Sequence, residues 1–191
     1  VSMLQIAGSE AGIKASQQRC QDVRTYMGRK IYAFLNYEWK DISQVEDFLN
    51  LCLCYGIFGT NKDNPFTKEI YFEHPQGYAR SKHLVDWFVP KARLLHRTGW
   101  QPVTHARPTP QKDIYIERFG STNDIYFTLL NESQTEKDIV LTVDLQALGI
   151  DSADIIIDEI ARGAALDRLA ENRFEITLKP HKTAIIAVRQ F

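Results

Sequence analysis

The sequence predicts an α/β first half joined to an all-β second half: three βα units of an incomplete (β/α)8 barrel over residues 1–107, then an antiparallel β-sandwich over residues 108–191. Three observations predict it. Up to about residue 94, short apolar runs closed by polar loops alternate with stretches of helical periodicity. From Gln111 onward the pattern is short alternating strands separated by turns. Between them lies a seam, Leu94-Leu-His-Arg-Thr-Gly-Trp-Gln-Pro-Val-Thr-His-Ala-Arg107, where Gly99 stops a helix, Trp100 supplies a large apolar anchor, and Pro102 and Pro108 keep the helix from resuming.

The first half begins with Val1-Ser-Met-Leu-Gln-Ile-Ala-Gly8, apolar and closed by glycine, which reads as a buried strand that places Glu10 just past its carboxyl end. Residues 14–27 carry the sparse stripe Ala15, Cys20, Val23 and Met27 of a surface helix that Gly28 ends. Lys30-Ile-Tyr-Ala-Phe-Leu-Asn36 reads as a second buried strand with Tyr37-Glu-Trp-Lys40 as its exit loop. Asp41-Ile-Ser-Gln-Val-Glu46 then opens a helix whose apolar face is Ile42, Val45, Phe48, Leu49 and Cys52. Leu53 to Gly59 leads into a third strand. A long loop follows from Thr60 to Gly77, a length that is often functional. A helix from about Ser81 must kink or restart at Pro90 before it reaches Gly99. Three such units in about 100 residues match the spacing of a (β/α)8 barrel, which needs ~250 residues for all eight. A small open α/β sheet is the alternative, although no strand is followed by a glycine fingerprint for a dinucleotide or phosphate.

In the second half, strands are expected at residues 113–119, 125–130, 139–143, 154–158, 174–178 and 183–188, with the Lys179-Pro-His-Lys182 turn joining the last two as a hairpin.

Composition sets the limits. A net charge of −1, from 23 basic and 24 acidic residues, gives no pull towards a polyanion, so nucleic acid is not an expected partner. The content of 44% hydrophobic residues is enough for a packed core. No run approaches the ~18 apolar residues of a membrane helix, so no membrane partner is expected. Cys20, Cys52 and Cys54 are too few for a disulfide framework and read as buried thiols. Two of them at i and i+2 on a helix make a poor metal pair. The chain starts at Val1 inside an apparent strand, so an excised piece is expected, with any targeting signal upstream and the compartment undetermined.

The segments Tyr55-Gly-Ile-Phe58, Leu95-His-Arg-Thr-Gly-Trp-Gln-Pro-Val103 and Phe174-Glu-Ile-Thr-Leu-Lys-Pro-His-Lys-Thr-Ala-Ile-Ile-Ala187 resemble the last barrel strand, closing helix and terminal hairpin of a glycoside hydrolase. The resemblance is to the barrel-plus-sandwich kind, as in α-amylase-like and α-galactosidase-like enzymes, and it covers nearly the whole chain. It implies the last three βα units of a barrel, a carbohydrate substrate, no cofactor, and a missing amino-terminal barrel portion or partner chain. The first five units, which in such enzymes usually hold a catalytic carboxylate, are absent, so the chain alone is expected to be inactive.

Glycosidic hydrolysis needs two carboxyl groups at roughly 5 to 10 Å, and a barrel projects them from the carboxyl ends of its strands. Glu10 and Glu38 satisfy the position and are the catalytic candidates. Asp63 follows the third strand. Asn36, ending an apolar strand, is a candidate for sugar hydroxyls, as are Trp39 and Tyr71 among the loop aromatics, whose faces stack on sugars. The alternative for each carboxylate is a solvated group or helix cap, and for the aromatics loop packing. His74, His83, His96, His105 and His181 have no metal-ligand spacing, and no serine stands in a nucleophile elbow. The competing reading of the chain is a non-enzymatic carbohydrate-binding or interaction module.

Overall fold

The computed structural model describes residues 4–6, 33–36, 42–60, 75–121, 124–151 and 155–190. The chain divides into two compact units, Val1–Leu94 and Leu95–Phe191.

In the first unit, β1 (Leu4–Ile6), β2 (Ala33–Asn36) and β3 (Phe58–Thr60) form a parallel sheet in that order, with helix α1 (Ile42–Cys54) between β2 and β3. Ile6 registers with Leu35, and Asn36 with Thr60. The helix expected over residues 14–27 lies outside the described residues.

α1 buries the expected Val45, Phe48, Leu49 and Cys52, and burial continues around the helix through Asn50, Leu51, Leu53 and Cys54. The amide of Asn50, inside this apolar setting, donates to the Glu46 carbonyl at 2.8 Å. Cys52 and Cys54 are buried and not joined in a disulfide, and Cys20 lies outside the described residues.

The third strand begins later than expected. Tyr55-Gly56 is not strand but the end of α1: Gly56 has φ +61°, its N–H donates to the Leu53 carbonyl (3.1 Å), and the Ile57 N–H donates to Cys52 (2.9 Å). Those two bonds satisfy the helix's last carbonyls in the Schellman arrangement, which needs a left-handed residue where glycine stands. The strand starts only at Phe58.

Helix α2 (Pro75–Thr98) likewise departs from expectation by starting before Ser81. Proline suits a first helical position, where its missing N–H would have no partner. The helix also continues through Pro90 without ending there. Lys91 stands next to the proline, its ammonium 5.5 Å from the centre of the Trp87 ring and hydrogen-bonded to the Trp87 carbonyl at 3.0 Å, which adds contacts across the turn the proline weakens. Leu84, Phe88, Ala92 and Leu95 are its buried stripe, while Lys82, Arg93 and Arg97 are exposed as a basic face should be.

The second unit holds two antiparallel sheets. In order, β10 (Asp167–Ala170), β11 (Arg173–Leu178), β8 (Lys137–Val143) and β5 (Ala106–Thr109) form one; β4 (Trp100–Gln101), β6 (Ile114–Phe119), β7 (Asp124–Asn131), β12 (Thr183–Gln190) and β9 (Ile155–Glu159) form the other. One hydrophobic core takes Ile139, Leu141, Val143, Phe174 and Ile176 from the first sheet and Ile125, Phe127, Leu129, Ile186 and Val188 from the second. β8 and β11 alternate buried and more exposed residues, whereas β7 is buried without a break from Ile125 to Asn131 and β12 from Thr183 to Val188. Strands covered on both faces lose their alternation.

Three strands, β4, β5 and β10, were not expected. β5 contains Pro108, which a strand accepts only at a sheet edge, and an edge is where β5 lies. Trp100 belongs to β4, half-buried, paired with Phe119, its indole N–H donating to the Glu117 carboxylate. The β6–β7 turn departs at Gly120, where a Cβ would stand 2.1 Å from the Asp124 carbonyl oxygen.

The expected terminal hairpin is the main correction. β11 pairs with β8, and β12 with β7 and β9, so Lys179–Lys182 carries the chain from one sheet to the other. The segment from β7 to β8 crosses as well. Both crossings meet at Asn131, which is fully buried. Its amide nitrogen donates to the Leu178 (2.9 Å) and Thr135 (2.8 Å) carbonyls, and its oxygen accepts from the Ser133 N–H (3.0 Å) and hydroxyl (2.7 Å). At the far end of β9, the buried Glu159 accepts four backbone N–H groups, from Ala161, Arg162, Ala164 and Ile185, at 2.8–3.0 Å. Such a cage is what keeps a carboxylate tolerable inside a protein.

Candidate functional site

The parallel sheet is the frame for the first-unit candidates. Its three strands run the same way and end side by side, at Ile6, Asn36 and Thr60. The candidate residues follow those ends closely in sequence: Glu10 after β1, Glu38 and Trp39 after β2, Asp63 after β3. Asn36 is the last residue of β2, opposite Thr60, a register partner that the sequence reading did not single out. Glu10, Glu38, Trp39, Asp63 and Tyr71 themselves lie outside the described residues, as do Tyr37, Phe66, Phe72 and His74, while Tyr78 falls within α2.

Among the described residues, no group of three His, Cys, Asp or Glu side chains could hold a metal ion. His83 is exposed on α2, and His96, His105 and His181 are half-buried. His105 and His181 both take left-handed backbone, φ +52° and +55°, in segments that leave or enter strands. No described helix is long and apolar enough to cross a membrane.

The second unit presents a broad open groove of about 1240 Å³ at one end of the four-stranded sheet. It is lined from four separate segments: the approach to β5 with His105 and Arg107, the end of β8, the short helix α3 (Leu145–Leu148) with the residues that follow it, and the β10–β11 turn with Glu171 and Asn172. Backbone bonds hold these together, Asp144 N–H to the His105 carbonyl (2.8 Å) and Val143 N–H to the Asn172 carbonyl (2.9 Å). The Asp144 carboxylate caps α3 through the Ala147 N–H at 3.0 Å. The sequence reading assigned no site here, because lining drawn from four segments leaves no local pattern; the one local signal it passed over is the cap, Asp144 before Leu-Gln-Ala-Leu and Gly149.

Comparison with solved structures bears on the whole chain. α-Galactosidase I from Mortierella vinacea aligns over 95% of this chain and 46% of its own, at 12% identity and TM-score 0.52. An Anoxybacillus α-amylase aligns over 98% of this chain and 44% of its own, at 12% identity and TM-score 0.51. The fold is one found in glycoside hydrolases. A family 30 endoxylanase from Clostridium papyrosolvens also aligns, over 100% of this chain and 49% of its own, at 10% identity and TM-score 0.48. The chain therefore spans less than half the length of each. No protein-family model matches the sequence, and no curated protein does.

Proposed function

We propose that the chain is the carboxyl-terminal portion of a carbohydrate-active glycoside hydrolase, inactive alone. In this reading β1, β2 and β3 belong to the last three βα units of a (β/α)8 barrel within residues 1–107. The two antiparallel sheets are a bracing β-sandwich built mainly from residues 108–191, with β4 and β5 added from the seam. The observation that carries the reading is the parallel order β1-β2-β3 with all three strands ending at one edge. A barrel builds its active site from the loops at that edge.

Glu10 and Glu38 are then the catalytic candidates that this portion contributes, each placed to donate a proton to the leaving oxygen or to act as nucleophile or base, with a further catalytic carboxylate in the missing units. Asn36, Trp39, Asp63 and Tyr71 line the sugar site, the aromatics by stacking and the others by hydrogen bonding to hydroxyls. The missing amino-terminal barrel units, on a longer chain or a partner, complete the wall and supply the remaining site residues. The substrate is a carbohydrate, as the galactosidase and amylase comparisons support.

The test compares the 191-residue chain with the longer reading frame on aryl glycosides, starch and xylan. The short chain gives no turnover; turnover at the ~1 to 10³ s⁻¹ of ordinary enzymes would overturn the proposal. In the longer protein, Glu10→Gln and Glu38→Gln each lower kcat by about 10³-fold. Wild-type kcat in both variants removes these residues from the mechanism.

A further inference from the structure

The groove on the second unit has a composition of its own. The side chains of His105, Arg107, Gln146 and Asn172 make no hydrogen bond to other described residues, yet all four line it. They offer donors from the guanidinium, and donors and acceptors together from the two carboxamides and the imidazole. Asp144, Asp151 and Glu171 stand around the same rim, each already engaged by another group of the chain. Asp144 caps α3, and Arg107 brings the opposite charge, so the rim is not built around a single charge, and no described trio of ligands suits a metal ion. Among the described residues no Phe, Tyr or Trp lines the groove, so the grip these residues offer is mainly through hydrogen bonds rather than stacking.

We propose that this groove is a binding site for an uncharged polyhydroxylated chain, an oligosaccharide lying across the end of the four-stranded sheet. A hydroxyl both donates and accepts, so successive hydroxyls along such a chain satisfy carboxamide, carboxylate and guanidinium alike without matching a fixed order. Openness suits a chain that passes over the surface rather than a small molecule enclosed by it. The backbone bonds joining His105 to Asp144 and Asn172 to Val143 hold the lining in place before binding, which lowers the ordering cost. Hydrogen bonding without aromatic stacking sets a weak affinity, Kd about 1 mM. The inference shares its ligand class with the function proposed above, but its site lies wholly in the second unit and can stand or fall alone.

The experiment follows backbone amide shifts of the 191-residue chain while maltohexaose, xylohexaose, a heparin hexasaccharide or hexalysine is added. The expected result is saturable shifts at residues 104–107, 142–151 and 171–172 with at least one of the two neutral sugars, and none there with the heparin fragment or hexalysine. Arg107→Ala and Gln146→Ala, both at exposed positions, keep the dispersed spectrum of the folded chain and weaken that binding about tenfold each. The proposal is overturned by no groove shifts with either neutral sugar, by groove binding of hexalysine or heparin instead, or by undiminished sugar binding in both variants. Sugar-induced shifts confined to the first unit would overturn this groove while leaving the hydrolase reading in place. Loss of activity in the longer Glu10→Gln protein with groove binding intact separates the two in the other direction.

Discussion

Asn131 shows how one polar side chain can hold two sheets in register. It sits at the last position of β7, fully buried, and its carboxamide spends its donors on the β11 end and the β7–β8 crossing while its oxygen takes both donors of Ser133. Asn131→Ala leaves the Leu178 and Thr135 carbonyls and the Ser133 N–H without that partner. Unmade hydrogen bonds of this kind cost ~1 to 3 kcal/mol each where buried, so a loss of about 3 kcal/mol is expected in urea unfolding. Asn131→Asp keeps the shape and the acceptor but sets a carboxylate against two carbonyl oxygens, so it is at least as damaging as alanine. A milder effect of Asp than of Ala would mean that packing, not the donated hydrogen bonds, accounts for the residue.

At the scale of elements, the clearest lesson is Gly56. In sequence, Tyr55-Gly-Ile-Phe58 has the apolar composition of a buried strand, and the helix before it is apolar too, so periodicity cannot mark where one ends. The backbone marks it, through the positive φ of Gly56 and its two capping bonds. Gly56→Ala therefore forces a Cβ into left-handed backbone and costs about 1 to 2 kcal/mol by thermal unfolding, and Gly56→Asn costs less because Asn tolerates that conformation. A strand residue would respond the other way, with Ala neutral or stabilising.

Elements with strong internal signals were legible: α1 from its apolar face and capping residues, β8 and β11 from their alternation, the helix stop before Gly99. β4, β5 and β10 run to only two to four residues, too short to carry a period. The hairpin expected at Lys179–Lys182 failed for a different reason. A four-residue turn between two strands looks the same whether they pair or cross between sheets, and the choice is made by distant partners in β7, β8 and β9. Of the site, the sequence picked out Asn36, which the backbone does set at the end of β2, but no local pattern announced its register with Thr60 or the groove around Arg107.

At the scale of the molecule, the two units differ in how their strands are supported. The second unit's β7 and β12 run eight residues each with a neighbour on both sides, and their inward residues share a core with the opposite sheet. Among the described residues the first unit's sheet has three strands of three or four residues, and there β1 and β3 each pair on one side only. Parallel strands are stable where both edges and both faces are occupied, and in a closed barrel β1 and β3 would each gain a further neighbour. Amide hydrogen exchange on the 191-residue chain should therefore leave β7, β8, β11 and β12 protected longest and β1 and β3 exchanging at least about tenfold faster, as sparsely bonded strands open more readily. In a longer protein that carries the preceding barrel units, β1 acquires a partner on the side away from β2, and its protection rises towards that of β2. Equal protection of β1 in the short and long proteins would mean that nothing pairs with that edge, and the barrel reading would go with it.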